Sequence, residues 1–317
     1  MRNLTFGIYP GGNAGSDNGL AKGNPDNPTL IKEALAQLQH ENKTFLVRCY
    51  LHYIGEGKIK NLTPLNPKQY LAKGRKLDLV LGYQSKNGDI TDWAEFIKQQ
   101  INEYGSDLGK IQICEEPNLY GIPYVDGDSP NVSQAVVQGV ITAKKEIKKL
   151  GLDVEVGFNG VPTFDPNNDF WRAIGELGTS EFIDSLDYIG LDFFPDVFRP
   201  IAFEEIRNSV DTVLNHFRNV SLVEAKIPSK IPLHITENGW ATSPERSESK
   251  QAAVIETVIR AINEYQEKYN ITQYELFDLR DANSSTSDFF YQFGIVKDDY
   301  TPKPAFETYK KLISELS

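Results

Sequence analysis

Two glutamates, Glu116 and Glu237, have the types and positions that bond-breaking chemistry needs, because each follows a short apolar run. They lie 121 residues apart (237 − 116), in Cys-Glu-Glu-Pro and Thr-Glu-Asn-Gly-Trp. Two facing carboxyls can cleave a glycosidic bond when one protonates the leaving oxygen and the other, ionised, attacks the anomeric carbon. We predict Glu116 as the proton donor and Glu237 as the nucleophile. A solvated loop glutamate is the alternative, and it has more weight for Glu116 than for Glu237.

A basic residue, Arg48, lies inside the apolar run Leu-Val-Arg-Cys-Tyr. An arginine in such a run is seldom buried without a carboxylate partner. Glu237 is a natural partner, because a nearby cation favours the ionised form of a carboxylate. A purely structural pair with another acid is the alternative.

Short apolar runs that alternate with helical patterns must position these residues. The expected strands are Leu4–Pro10, Thr44–Tyr53, Leu77–Gln84, Ile111–Glu116, Val154–Asn159, Leu186–Phe194, Leu233–Glu237 and Tyr274–Arg280. Eight βα units of about 40 residues predict one (β/α)8 TIM barrel over residues 1–317. An open doubly wound sheet is the rival fold. It would normally carry a glycine-rich phosphate turn, and this sequence has none. Because barrel active sites lie at the C-terminal ends of the strands, Glu116 and Glu237 would face the same mouth from strands four and seven.

Helix ends and turns carry signals of their own. Asn27-Pro28 and Ser243-Pro244 predict helix starts, Asp92 predicts a helix cap, and Gly151 predicts a helix end. The Gly/Asn-rich segment 10–23 is expected to be a flexible surface loop. Asp126-Gly-Asp128 is interpreted as a turn.

Composition limits the partners. The net charge is −11, from 44 acidic and 33 basic residues, and this field disfavours nucleic acid and anionic membranes. The sequence contains no run of about 20 apolar residues, so no membrane span is predicted. No secretory signal is visible, so a cytoplasmic location is expected for the chain as given, with secretion open if a signal was removed. Cys49 and Cys114 are expected to be buried free thiols. The four histidines lack ligand spacing and no phosphate loop occurs, so neither metal nor cofactor is expected. The oligomeric state stays open.

The motifs around these residues resemble clan A of the glycoside hydrolases, the retaining β/α-barrel enzymes. Thr236-Glu237-Asn238-Gly239-Trp240 is similar to the nucleophile motif of that clan, and Glu116-Pro117 to its acid/base motif. Arg48 resembles the strand-two arginine that contacts the nucleophile. The segments Phe277–Ala282, Gln292–Val296 and Tyr300–Phe306 resemble the last βα unit of several members. The resemblance implies a retaining mechanism with these two glutamates.

Three positions depart from the pattern of the clan. Glu115 occupies the place of an asparagine that bonds the sugar 2-hydroxyl, so the substrate differs there, or Glu115 raises the pKa of Glu116, or it points away. Strict strand alternation slightly favours the last option. The tyrosine that bonds the nucleophile from strand six is missing unless Tyr188, Asp192 or a loop residue replaces it. Leu276 or Phe277 takes the place of a tryptophan on strand eight.

These observations predict a retaining β-glycoside hydrolase that acts on oligo- or polysaccharide, with carbohydrate as its partner. A carbohydrate-binding barrel with weak or lost catalysis and a transglycosylase with the same residues are the alternatives. Trp240 is expected to be a sugar platform, since aromatic walls suit sugar rings. The expected substrate-binding residues are Arg48, Glu115, Asn118, Trp240, Tyr83, Phe193 and Asp192.

Overall fold

A closed barrel of eight parallel strands forms the centre of the molecule. The computed structural model describes residues 3–16, 19–21, 23–41 and 43–317. The barrel strands are β1 (Thr5–Ile8), β2 (Phe45–Gly55), β3 (Arg75–Tyr83), β4 (Leu108–Ile113), β5 (Glu155–Gly160), β6 (Tyr188–Asp192), β7 (Leu233–Asn238) and β8 (Ile271–Leu276). Each strand pairs with its neighbours in chain order, and β1 pairs with both β8 and β2. The predicted (β/α)8 barrel is therefore confirmed.

Helices cover the outside of the barrel. The α-helices are α1 (Pro28–Leu38), α2 (Ile90–Tyr104), α3 (Val132–Leu150), α4 (Phe170–Leu177), α5 (Ser180–Ile183), α6 (Ile206–His216), α7 (Leu222–Glu224), α8 (Glu248–Glu264), α9 (Gln266–Tyr269) and α10 (Pro304–Leu316). A π-helical turn, Phe217–Ser221, joins α6 to α7. Within the described parts of the chain, no helix is both long enough and apolar enough to cross a membrane.

The predicted helix ends are partly correct. Asn27 caps α1 ahead of Pro28, and Gly151 ends α3 with a left-handed φ of 65°. Two predicted starts are wrong: Asp89, not Asp92, caps α2, and Ser247, not Ser243, caps α8. In both cases the true cap accepts from backbone N–H groups of the first turn.

The observed bounds of all eight strands differ from the predicted ones, most of all at β4 and β8. β2 continues to Gly55 and pairs antiparallel with an additional strand, Lys58–Thr63. β8 covers Ile271–Leu276, so it begins three residues and ends four residues before the predicted bounds. Beyond β8, the backbone N–H of Leu279 bonds to the carbonyl of Tyr9, which follows β1.

The segment expected to be a flexible surface loop is partly ordered. Ala14–Ser16 pairs antiparallel with Gly19–Ala21; residues 17, 18 and 22 lie outside the described residues. The buried Arg280 guanidinium donates to the carbonyl of Asn24 (2.8 Å) and to the carboxylate of Asp26 (2.9 Å). These contacts tie the chain directly after the segment to the region that follows β8.

The barrel interior holds buried charge. Lys110 on β4 bonds to Glu275 on β8, on the opposite side of the barrel, so this contact crosses the interior. Lys110 also lies 3.3 Å from Asp78 on β3, which accepts from Arg48 on β2 at 2.6 Å. A Cβ at Gly7 would stand 2.8 Å from Cγ of Glu275, so glycine leaves the room that this side chain needs. Branched apolar residues usually fill such interiors.

We predict that Lys110→Met destabilises the protein by about 3–5 kcal/mol, because it leaves the carboxylate of Glu275 buried without its cation and leaves Asp78 with Arg48 alone. Chemical denaturation at pH 7 measures the loss. Lys145→Met is the matched control, since Lys145 pairs with Glu181 at 2.9 Å on the surface, and exposed pairs contribute less than about 1 kcal/mol. Equal losses in the two variants would contradict the prediction.

Candidate active site

Four carboxyls meet at the C-terminal mouth of the barrel. Glu115 and Glu116 follow β4, Asp192 ends β6, and Glu237 lies near the end of β7. One carboxylate oxygen from each lies within 4.8 Å of those of the other three. The structure therefore brings the two predicted catalytic glutamates together. A separation near 9 Å between the carboxyl groups would leave room for an attacking water, as in inverting enzymes, whereas retaining enzymes hold them about 5–5.5 Å apart.

A left-handed turn after β4 presents both neighbouring glutamates to the mouth. β4 ends at Ile113, and Cys114 and Glu116 have φ values of 66° and 44°, which side chains other than glycine rarely adopt. Because this turn breaks strand alternation, Glu115 is buried and accepts from Gln112 at 2.7 Å. The expectation that Glu115 points toward the helices is wrong. Cys114 is a buried free thiol, as is Cys49, and this prediction is confirmed.

Arg48 is the cation of this site. Its shortest contact is with Asp78 at 2.6 Å, and it lies 3.4 Å from Glu115 and 3.5 Å from Glu237. Both alternatives for its partner are thus realised, since Arg48 pairs with a structural acid as well as with the predicted nucleophile. Its Nε donates to the hydroxyl of Tyr50 (2.8 Å), which donates to Oε1 of Glu237.

Polar neighbours fix Asp192 at the end of β6. Its two carboxylate oxygens accept from the Thr236 hydroxyl and from the Asn159 amide. Asn159 also accepts the backbone N–H of Glu116 at 2.9 Å, so one amide connects Asp192 to the turn after β4. Asp192 lies within the carboxyl cluster, and its role in substrate binding stays a prediction. The hydroxyl of Tyr188 donates instead to the carbonyl of Ile111, away from Glu237.

Burial and mutual repulsion favour protonation in this cluster. Burial, followed by the charge of Glu237, raises the pKa of Glu115 and of Asp192 well above the usual range. Burial, then Asp192 and then Glu237, raises the pKa of Glu116 well above its usual range. Arg48 opposes all three shifts. A carboxyl that keeps its proton at neutral pH can act as a general acid.

The four oxygens are also close enough to share a cation. Arg48 already supplies positive charge to Glu115 and Glu237, and Asp192 is engaged by two protein donors. These contacts account for the cluster without an ion. The absence of a metal remains a prediction of the sequence.

Trp240 is enclosed by protein. Its ring is fully buried, its indole N–H donates to Asp196 at 3.2 Å, and the Arg246 guanidinium lies 4.0 Å from the ring centroid. Lys250 lies 5.1 Å from the same centroid. These contacts give the predicted sugar platform no support.

Three other predicted substrate contacts are structural. Tyr83 is fully buried beside Trp93, and its hydroxyl donates to the carbonyl of Pro130. Phe193 is buried in the apolar core. Asn118 is buried, with its amide donating to the carbonyl of Val161 and accepting from the N–H of that residue. Each of these side chains is occupied by packing or by backbone groups, which gives its predicted role in substrate binding no support.

Phe277, directly after β8, is a partly exposed aromatic residue at the mouth. Its half-buried ring stacks on Tyr9, with centroids 5.4 Å apart and an interplanar angle of 12°. Tyr9 packs edge-on against Tyr50 at 5.1 Å, which connects Phe277 to the partner of Glu237. Of the two strand-eight candidates, Leu276 is buried in the core and Phe277 lies at the mouth.

Sequence reasoning missed Asp126, which holds the turn after β4. Its Oδ2 accepts the backbone N–H of Tyr83 at 2.6 Å and that of Glu115 at 2.7 Å. Its own N–H donates to the carbonyl of Glu115. The Asp126-Gly-Asp128 sequence suggests only a turn. The signal for Tyr50, in contrast, was present, because residues two apart on a strand face the same side and Tyr50 follows Arg48 in this way.

Comparison with known proteins links this architecture to carbohydrate-active enzymes. No family model matches the sequence, and no curated protein does. Solved structures do match. A family 39 glycoside hydrolase from Bacteroides cellulosilyticus WH2 shares 15% identity at a TM-score of 0.64, with 99% of this chain and 64% of that chain covered. An active-site mutant of Rhizomucor miehei β-1,3-glucanosyltransferase, in complex with laminaritriose, shares 16% identity at a TM-score of 0.56. The match covers 95% of this chain and 96% of that chain.

A third similar structure is a β-glucuronidase from Ruminococcus gnavus in complex with D-glucuronic acid. It shares 13% identity at a TM-score of 0.61, with 98% of this chain and 49% of that chain covered. This chain thus spans about half of the glucuronidase and just under two thirds of the family 39 enzyme. The resemblance to clan A is confirmed at the level of the fold: the chain has the barrel fold of these glycoside hydrolases.

We predict that Asp126 makes the protein less stable as the pH rises. Burial raises the pKa of Asp126 to about 7, against about 3.9 for an unfolded aspartate, so the folded state retains a proton that the unfolded chain releases. The free energy of unfolding should therefore fall between about pH 4 and pH 7, by up to about 1.4 kcal/mol per pH unit from this group. Asp126→Asn should remove that contribution.

Denaturation of the wild type, Asp126→Asn and Asp128→Asn across this pH range measures the effect. Asp128 is the matched control, because it is exposed in the same loop and accepts from Gly121. If the free energy of unfolding has the same pH dependence in the wild type and in Asp126→Asn, then Asp126 does not titrate in this pH range.

Proposed function

We propose that this protein is a clan A glycosidase that hydrolyses β-glycosidic bonds with retention of configuration. The observation that carries the proposal is the pair formed by Glu116 and Glu237 at the ends of β4 and β7, with carboxylate oxygens within 4.8 Å. Such closeness suits direct attack by a carboxylate better than attack by an intervening water. The similar structures, which include glycoside hydrolases and a glucanosyltransferase, support the same reaction class.

In the first step, Glu237 attacks the anomeric carbon and the bond from that carbon to the leaving oxygen breaks. Glu116 gives its proton to that oxygen, and an ester between Glu237 and the sugar forms. The raised pKa of Glu116, caused mainly by burial, supports its role as the donor. In the second step, Glu116 takes a proton from water, the water oxygen bonds to the anomeric carbon, and Glu237 leaves as a carboxylate.

The surroundings of the pair support these different roles. Glu237 receives a hydrogen bond from Tyr50 and lies 3.5 Å from Arg48, and both contacts favour its ionised form. Glu116 has the acids Asp192 and Glu237 as its nearest raising charges, and burial adds to their effect on its pKa. Burial among acids thus favours the protonated form of Glu116, as a proton donor needs, while the contacts of Glu237 hold its carboxylate in place.

We expect Glu237→Ala to lower turnover of aryl β-glycosides or β-glycans by about 10⁴-fold or more, since it removes the attacking group. Glu116→Ala should lower turnover by about 10²–10⁴-fold, with the smallest loss on substrates whose leaving group needs no proton. Exposed Glu176→Ala is the control and should retain wild-type rates.

Hydrolysis of a substrate panel measures these rates, and NMR of the first product identifies its anomer. A product of inverted configuration would contradict retention. Unchanged turnover in Glu237→Ala would remove that residue from the nucleophile role.

Glu115 motivates a second candidate, a sugar-binding barrel without efficient catalysis. It places a third carboxyl beside the pair, accepting from Gln112 and 3.4 Å from Arg48. Calorimetry that detects sugar binding, together with no product after long incubation, would favour this candidate. Transfer of the sugar to an acceptor other than water uses the same residues. Product analysis with added acceptor distinguishes transfer from hydrolysis.

A further inference from the structure

Tyr50 stands between a buried cation and the predicted nucleophile. Its hydroxyl accepts from Nε of Arg48 at 2.8 Å and donates to Oε1 of Glu237. All three side chains are buried, and Arg48 and Tyr50 lie two residues apart on β2, facing the same side. They form a continuous chain from guanidinium to hydroxyl to carboxylate.

This chain is held at its cationic end. Nη1 of Arg48 donates to Asp78 at 2.6 Å, and Nη2 donates to Gln112 at 3.0 Å. The guanidinium is therefore bonded on every edge, with Nε facing Tyr50. Since a planar guanidinium donates only in fixed directions, these bonds determine where the Tyr50 hydroxyl must lie.

The ring of Tyr50 is fixed as well. It packs edge-on against Tyr9, with centroids 5.1 Å apart, and lies beside Val80 in a small buried cluster. The Arg48 guanidinium lies 5.0 Å from its centroid. Packing and hydrogen bonding thus agree on one position for the hydroxyl.

We propose that Tyr50 is the positioning residue of Glu237, holding it ionised and oriented for attack. This inference rests on the proposed function, in which Glu237 is the nucleophile. Because the Tyr50 hydroxyl accepts from a cation, it is a stronger donor to the carboxylate than an isolated hydroxyl. Its bond to Oε1 fixes the rotation of the carboxylate and leaves the lone pairs of Oε2 for the anomeric carbon.

The tyrosine of β6 has a different role. The Tyr188 hydroxyl bonds to the carbonyl of Ile111, and its ring stacks on His234 with centroids 4.3 Å apart. Tyr188 is as deeply buried as Tyr50, yet it has no bond to the carboxyl cluster. It therefore offers a matched control that loses a buried hydroxyl elsewhere in the barrel.

The first test compares the pH dependence of kcat/KM in Tyr50→Phe, Tyr188→Phe and the wild type. The acidic limb of this profile reports the base that the free enzyme needs, here ionised Glu237. A hydrogen bond to a charged group is strong enough that its loss should move the limb upward by about 1–2 pH units in Tyr50→Phe. We expect kcat to fall about 10–100-fold with little change in KM, while Tyr188→Phe retains the wild-type limb. An unmoved limb in Tyr50→Phe, or an equal movement in Tyr188→Phe, would overturn the proposal.

A second test does not depend on turnover. Denaturation midpoints at pH 7 are compared for Tyr50→Phe, Glu237→Gln and the double variant, since interacting residues give non-additive effects. We expect the double variant to lose less than the two single losses combined. Additive losses would refute the contact, and with it the positioning role. Non-additive losses in a protein that hydrolyses no glycoside would refute the proposed function alone and leave Tyr50 as the partner of Glu237.

Discussion

The buried positive charge of Arg48 is the constraint on which the rest of the site depends. Glu115, Glu116, Asp192 and Glu237 crowd one end of the barrel, and like charges this close cannot all ionise in a water-poor setting. Arg48 contacts two of these acids and raises the share of negative charge that the site tolerates. Burial and mutual repulsion raise the pKa of Glu115, Glu116 and Asp192, so one cation among four carboxyls favours protonation of part of the cluster.

The fold supports this balance with two separate devices. Below the site, charges alternate through the barrel interior from Arg48 to Asp78, Lys110 and Glu275, so that each ion has an opposite neighbour. Above it, the left-handed turn after β4 brings adjacent glutamates to one side, and Asp126 and Asn159 hold that turn by its backbone groups. The interior ions thus determine the charge balance of the site, and the turn after β4 determines where its glutamates lie.

The sequence predicted the barrel because buried parallel strands are apolar on both faces and recur at regular spacing. It predicted Glu116 and Glu237 because strand ends converge in such a barrel. The inward direction of the Glu115 side chain could not be predicted, because strand alternation assumes an extended backbone and Cys114 departs from that conformation.

Other features could not be predicted, because they depend on contacts with remote segments. Trp240 follows Glu237 closely in the chain, yet Asp196, Arg246 and Lys250 enclose its ring. The ordering of residues near Asn24 depends on Arg280, which lies more than 250 residues later. Local patterns identify elements, whereas such long-range partners decide which side chains remain free for a ligand.

The alternating charges in the barrel interior, Arg48, Asp78, Lys110 and Glu275, limit which substitutions this protein can accept during evolution. Replacing any one member leaves a neighbour buried without its counter-charge, whereas replacing a pair by apolar residues of similar volume need not be harmful. Asp78 pairs with both Arg48 and Lys110. Replacing Lys110 and Glu275 together would therefore leave Asp78 paired with Arg48 alone and would change the charge balance beside the four carboxyls. Relatives that diverge from this sequence are therefore expected to exchange these interior residues together, and in step with the four carboxyls at the mouth.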